Sequence, residues 1–522
     1  MKKFLSTFVT MLIVFPATVL AGGIVTNTNQ SASFIRMPAQ DAVVGAEGTY
    51  FNPAGLSFLE NGFHFSLSNQ TISQSRTVKS TYPMARSKFD GDVNAPLFPT
   101  LYGVYKTGNM AYSLGVNPIG GGGSANFEEG LPSFEQRVAV LPPTLSAAGI
   151  STSQYAMDAA FDGTSLNWGI QLNASYAINQ MVAFSIGVRY IIANNTYSGH
   201  LKNIMINPEH GLNPNGPGNM VSAPNFFTTL ATVSTMAVDS IQPVIEGGGG
   251  DFTLNELVAA GQMDQSDADE LAAGLGDNYN EDMTASDIQS AYNLNAQLMT
   301  GLASNTKDME VDASQSGNGI VPVAGLHIRV SDQFDFAVKY EHKAAITMTN
   351  STTIDDVGMY PDGAETPNDM PAMLSFGANY KPFQQLQLSG GFHYYFDKNA
   401  DYGKTIDNEP VTNDEVMDNN FWEAAIGVEY SINPSLIISG GYLRTQTGVK
   451  EIYHSDLSHS LSTNSVGAGF KYLINPGLGV NFGVMSTMYE SDTRAFNNQG
   501  IEYHEEYKRN AFTIALGIDL KI

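Results

Sequence analysis

The sequence predicts an all-β chain that closes into a transmembrane antiparallel β-barrel of about fourteen strands. Three observations carry that reading. An alternating apolar segment that ends on a tyrosine and a tight turn recurs at 171–179, 374–382, 425–434 and 466–476, around Tyr176, Tyr380, Tyr430 and Tyr472. Every second residue of these segments is apolar, which is the period of a strand with one apolar face. A tyrosine at a constant distance from a turn suits the aromatic belt of a membrane interface. The connections also alternate, between tight turns built on Asn, Pro, Gly and Asp and long polar loops, as short periplasmic turns and long external loops do. The third observation is the start of the chain. Met1-Lys2-Lys3 is basic, residues 4–14 are apolar, and Val19-Leu20-Ala21 offers small residues for cleavage before Gly22. This predicts a secretory signal peptide over 1–21.

Composition narrows the classes. The chain has no Cys, so it has neither a disulfide framework nor a lipid-anchored N-terminus. No run of about 18 apolar residues follows Gly22, so no helix spans a membrane. A mean hydropathy of −0.12 would suit a large soluble secreted protein, but a barrel hides its hydrophobicity because its inward positions are polar. A soluble β-sandwich would show the same alternation over shorter strands with less regular turns. The net charge of −26 argues against nucleic acid, since there is no basic stripe to neutralise phosphates. It suits external loops that stay soluble.

Taken in order, residues 22–61 lack sustained alternation and close on Asn52-Pro53-Ala54-Gly55-Leu56, reading as a small irregular domain ahead of the barrel. Strands are expected at 63–72, 101–107, 111–116, 166–178 and 182–194, then at 320–330, 334–349, 372–380 and 386–396. The last set is 421–430, 436–445, 463–472, 479–489 and 511–522. Alternation assigns the faces: Phe184, Ile186, Val188 and Tyr190 meet lipid while Ser185 and Arg189 point inward. In the final strand Phe512, Ile514, Leu516, Ile518 and Leu520 meet lipid. An insertion over 203–318 has no Lys or Arg between Lys202 and Lys307. Thr253 and Glu256 form a capping-box pattern. Ile288, Ala291, Tyr292, Asn295, Leu298, Met299 and Leu302 fall at helical spacing. Two or three short amphipathic helices outside the membrane are expected there. The insertion could be a solvated acidic cap or gather ligand.

Chemistry is sparse. No calcium-loop or His-Glu-x-x-His spacing occurs, so no metal site and no cofactor is assigned. No Gly-x-Ser-x-Gly elbow occurs, and an enzyme is not expected. Arg189, His327, Arg329 and Lys339 fall on the inward parity of neighbouring strands and are candidate ligand-binding cations. A buried carboxylate on a lipid would need such a partner. The alternative is that they pair with inward acids such as Asp335, Glu341 or Glu423. In the third strand, Asn117-Pro118 runs into Gly120, Gly121, Gly122 and Gly123. Proline removes a ladder donor and consecutive glycines cannot pack, so pairing should fail there. A plain Gly-rich loop start is the other reading of that run.

With the strand set, the signal peptide and Asn52-Pro53-Ala54 in place, the chain resembles the FadL/TodX family of outer-membrane transporters for hydrophobic compounds. The resemblance covers essentially the whole mature chain except the insertion. It implies an N-terminal hatch over 22–61, carrying Asn52-Pro53-Ala54, that plugs a fourteen-stranded barrel over 62–522. It also implies that the 117–123 run is the family's inward kink, opening a gap in the wall. The expected function is passive uptake of long-chain fatty acids or hydrocarbons across the outer membrane of a Gram-negative bacterium, with lateral release through that gap. The expected partners are the hydrophobic small molecule, outer-membrane lipids and the barrel assembly machinery, and the expected state is a monomer. One departure is the C-terminal Ile522, where many such barrels end in an aromatic residue. Two rivals are a structural or adhesive barrel that binds a partner through the acidic insertion, and a general porin.

Overall fold

The computed structural model describes residues 24–406, 409–498 and 500–522; the signal peptide expected over 1–21 lies outside them. The strands that form the wall are β1 Gly62–Ser80, β2 Lys88–Thr107, β3 Met110–Phe127, β4 Tyr155–Ala177, β5 Val182–Ile206, β6 Met309–Ser331 and β7 Phe334–Glu341. They continue as β8 Met373–Phe383, β9 Leu386–Tyr395, β10 Trp422–Asn433, β11 Leu436–Gln446, β12 Thr463–Asn475, β13 Leu478–Tyr489 and β14 Ile501–Lys521. Each pairs antiparallel with the next, and β14 pairs with β1, closing a fourteen-stranded barrel. At the seam Phe63 and Ile522 exchange both backbone hydrogen bonds at 2.9 Å.

Outward alternation behaves as its period requires. Phe184, Ile186, Val188 and Tyr190 are exposed, as are Phe512, Ile514, Leu516, Ile518 and Leu520, while Ser185 and Arg189 are buried in the lumen. The wall is uneven in height. Strands β1 to β6 and β14 hold 18 to 25 residues, whereas β8 to β13 hold 10 to 13. About ten residues cross a bilayer, so the long side projects well beyond it. Its outward residues Thr71, Ser73 and Ser75 in β1 are polar, continuing above Phe63, Phe65 and Leu67.

Three elements differ from the alternation reading. Strand β3 does not end at residue 116 but continues through the glycine run to Phe127. The strand expected over 334–349 is broken at 342–346 and resumes as Thr347–Asp355; His342 still donates to the Pro322 carbonyl, but Pro322 has no N–H to return the bond and the ladder stops there. The insertion is bounded more tightly, since β5 reaches Ile206 and β6 begins at Met309, and its helices are longer than expected.

Helices α1 Ala32–Arg36 and α2 Gly48–Phe51 lie inside the barrel. Helices α3 Pro132–Ala139 and α4 Leu141–Ala147 sit on the β3–β4 connection. The insertion carries α5 Ala223–Val244, α6 Leu254–Ala259, α7 Gln265–Leu275 and α8 Ala285–Asn305. The Thr253–Glu256 capping box forms at α6, with a second at Thr284–Asp287 for α8. Ile288 and Tyr292 of α8 bury against Leu254, Leu257 and Leu271, so the insertion has a core of its own. Phe226, Phe227 and Ala303 tie its base to Leu201 and Ile204 of β5. No described helix is long and apolar enough to cross a membrane.

Candidate functional site

The segment from Ile24 to Ser57 threads the lumen, and nearly all of it is buried. Asn52 is extended, at φ −156°, and its side-chain oxygen accepts the Ala54 N–H at 3.1 Å, turning the chain into the 3₁₀ segment Pro53–Phe58. Its Nδ2 donates to the Leu326 carbonyl of β6 at 2.9 Å, and Ser175 of β4 donates to the Pro53 carbonyl at 2.6 Å. A plug carries backbone polar groups away from water, and wall side chains satisfy them here. Close approach of backbone to wall needs residues without side chains: a Cβ on Gly467 would collide with the Ile35 carbonyl.

The four inward cations hold this plug. Arg189 makes a bidentate pair with Glu341, at 2.5 and 2.9 Å, and its Nε donates to Gln171. Lys339 donates to the same carboxylate at 2.6 Å and to the Tyr50 carbonyl of α2 at 2.9 Å. Both cations lie over the Tyr50 ring, at 4.9 and 4.6 Å from its centroid. His327 and Arg329 share Asp335, at 3.3 and 3.6 Å, and Arg329 covers the Phe58 ring at 4.2 Å. Two of the alternative acid partners, Glu341 and Asp335, are therefore the ones used. The third, Glu423, belongs to a separate network with His393, Asp41, Thr28 and Tyr395. Arg36 of α1 pairs with Glu429 of β10. All four candidate cations are engaged by wall acids and hatch aromatics, and the lumenal cavity described below is lined by none of them.

Strand β3 is paired asymmetrically. Toward β4 the ladder continues through Asn117, Pro118, Gly120, Gly121 and Gly123, with bulges after Pro118 and after Gly121. Toward β2 it stops at Leu101–Val116 and resumes only at Val93–Ala125. The bent stretch turns instead to the hatch: Asn27 N–H donates to the Ile119 carbonyl at 2.8 Å, and Asn117 Nδ2 to Gln30 at 2.6 Å. Where β3 has only glycines, Leu166 of β4 packs against Phe98 and Ala95 of β2 and Ile72 of β1, a small apolar cluster in the interruption. Gly121 has φ +77°, and a Cβ there would strike the Ser165 backbone, so the bend tolerates no larger residue at that position.

Two hollows flank these features. One is a cavity of about 50 Å³ above the hatch, room for a few waters at roughly 10–15 Å³ each. Its floor is Asn27, Thr28, Asn29 and Phe34 of the hatch, and Gly121 of the β3 bend forms part of its wall. The other is an outer groove where Phe134 and Arg137 of α3 face Leu201, Met309, Val311 and Met359. Sequence periodicity offered no signal for this groove, because α3 and the upper parts of β5 and β6 meet only in three dimensions. Among the described residues no cluster of His, Asp and Glu could hold a metal ion.

Neither a protein-family model nor a curated protein sequence matches the chain. Solved structures do. A FadL homologue of Pseudomonas aeruginosa superposes with a TM-score of 0.57 at 12% identity, over 96% of this chain and 99% of the homologue. The toluene transporter TodX of Pseudomonas putida superposes with a TM-score of 0.51 at 14% identity, over 96% of this chain and 100% of TodX. At such identities the likeness is one of fold, and it extends over nearly the whole chain.

Proposed function

From the fold that this chain shares with FadL and TodX, we propose a passive outer-membrane transporter for hydrophobic molecules. An apolar solute gains nothing from an aqueous pore and much from leaving water for protein or lipid. The outer groove beside α3 is apolar and open, and it would take such a solute first. The cavity above the hatch would receive it next. The single observation that carries the reading is that this cavity is bounded by the hatch and by the β3 bend at once, where β3 leaves β2. Unpaired backbone facing lipid is costly, so a break in the wall persists where it lines a cavity or passage. In this reading Phe98 and Leu166 close the passage at rest, and movement of 27–30 against Ile119 opens it sideways into the membrane.

The test alters the apolar cluster rather than the glycines. Ala95→Trp should fill the interruption and lower uptake of labelled toluene or palmitate at least several-fold, while the barrel keeps its heat-modifiable mobility on gels. Phe98→Ala should leave uptake intact or raise it. Normal uptake by a correctly inserted Ala95→Trp protein would discard lateral exit and favour a route past the hatch into the periplasm.

A further inference from the structure

The uneven wall leaves the barrel mouth low on one side, and a loop from that side crosses it. Residues 447–462 join β11 to β12, yet Leu457 shares an apolar cluster with Val93, Phe127, Phe161 and Tyr197 from the inner faces of β2 to β5. Leu461 shares another with Val78 of β1, Phe89 of β2 and Tyr507 of β14. The loop then runs into Thr463, which lines the cavity above the hatch. It therefore lies between that cavity and the outside. Its polar fastenings are of two kinds. His454 Nε2 lies 2.9 Å from Asp492, and Arg494 donates to the His454 carbonyl at 2.6 Å. These are exposed-side ties. Deeper, Asp456 accepts the Ser133 N–H of α3 at 2.8 Å, while Glu505 of β14 accepts from Gln136 of α3 at 3.1 Å and from Tyr507 at 2.9 Å.

Asp456 on the loop and Glu505 on the wall thus meet at α3. Both are buried, and among the described residues neither forms an ion pair with a cation. Outward-facing Glu502, His504, Glu506 and Lys508 place this part of β14 beyond the bilayer. Burial and the nearby Asp456 push Glu505 up to about 8, and Arg494 offsets this only in part. Burial raises Asp456 as well. His459 has the opposite surroundings. It stacks on Tyr507 at 5.0 Å, and its Nε2 is buried without a hydrogen-bond partner. Facing it are Arg76 of β1 and Arg509 of β14, opposite each other in the antiparallel register and each 3% exposed. Burial, then Arg509, Arg76 and His454, hold the His459 pKa well below its usual value, so the ring is neutral. A proton on it would add a like charge to a buried cationic group.

We infer that residues 454–462 are a proton-controlled lid on the lumen, held shut while Glu505 keeps its proton and His459 stays without one. The lid governs access to the cavity and is independent of what enters it. With the lid away, Glu505 faces water and returns toward 4.5. Its contribution to closure is therefore complete below about 4.5 and is lost as pH rises through about 8. Asp456 acts with the same sign. His459 returns toward 6.5 in water, so its contribution is complete above about 6.5 and is lost as pH falls. Between those limits the two slopes oppose each other, and above 6.5 the carboxyl slope stands alone.

Amide hydrogen exchange of the full-length protein in detergent tests the lid, with no solute present. Protection of 454–462, with the intrinsic pH dependence of exchange divided out, is followed from pH 5 to 8.5, and β12 serves as the reference. Opening that releases one proton grows by about tenfold per pH unit. Protection of the wild-type lid should accordingly fall about tenfold between pH 6.5 and 8 while β12 stays constant. Glu505→Gln should abolish that fall, and its protection should drop instead below pH 6.5. His459→Gln should keep the fall and gain protection steadily down to pH 5. Constant protection of the wild-type lid, or a fall that persists in Glu505→Gln, would overturn the lid and leave the transport reading standing. Should Glu505→Gln fail to fold, Asp456→Asn keeps an acceptor for the Ser133 N–H and should move the fall to lower pH. A fall at the unchanged pH in that variant would overturn the lid equally.

Discussion

The lower and upper halves of the lumen use the same residue type in opposite ways. Below, Arg189 and Lys339 share the carboxylate of Glu341 and both lie over the Tyr50 ring, so each cation meets an acid of the wall and an aromatic ring of the hatch. Above, Arg76 faces Arg509 across a strand pair, and Arg76 has a donor left over. The first cluster joins the wall to the hatch; the second joins two strands of the wall at the seam. The contrast separates cations that dock the hatch from cations that do not touch it, and each half can be altered without the other.

The largest effect should come from removing the plug. Deleting residues 22–55 discards most of the hatch, and purified protein in a planar bilayer should change from electrically silent to conducting. A silent truncated barrel would show that the hatch does not close the lumen. Next is Glu341→Ala, which strands two buried cations in the lower cluster. Losing one partner of a buried pair costs on the order of 3–5 kcal/mol, so the urea midpoint of the folded barrel should fall markedly and hatch opening should bring intermittent conductance. Arg76→Gln removes a charge that has no carboxylate, and its midpoint should stay the same or rise. If the two variants shift the midpoint alike, the distinction between the halves fails. A milder loss than that of Glu341→Ala is expected for Asn52→Ala. It removes the hydrogen bonds to Ala54 N–H and to the Leu326 carbonyl, at about 1–3 kcal/mol for the groups left unsatisfied. Faster amide exchange should appear around 50–58 and not in the upper wall.

Legibility followed the range of the interaction that decides each feature. The outward faces of β5 and β14 were readable because a strand repeats every two residues and lipid selects one face. The capping box at Thr253 was readable because its partners are three residues apart. The 117–123 run announced a failure of pairing, since Pro and Gly weaken a ladder wherever they stand. Which ladder fails was not local information. The chain keeps the β4 side with two bulges and loses the β2 side, and in the interruption Asn27 of the hatch donates to the Ile119 carbonyl.

The lumenal cations show the same limit. Parity placed Arg189, His327, Arg329 and Lys339 inside, yet parity says nothing of height along the barrel or of what stands opposite. Tyr50 and Phe58 reach them from more than a hundred residues away in the chain, and these contacts to the hatch are not written in the parity. The same blindness left Arg76 and Arg509 unremarked. They begin and end the barrel, and only closure of β14 on β1 sets them side by side. By itself the sequence determined the barrel, its lipid face, the plug motif and the site of the bend, because each is written in neighbouring residues. Tertiary structure alone decided which ladder of β3 is interrupted, which cations hold the hatch and which meet at the seam, because those depend on pairings across the closed sheet.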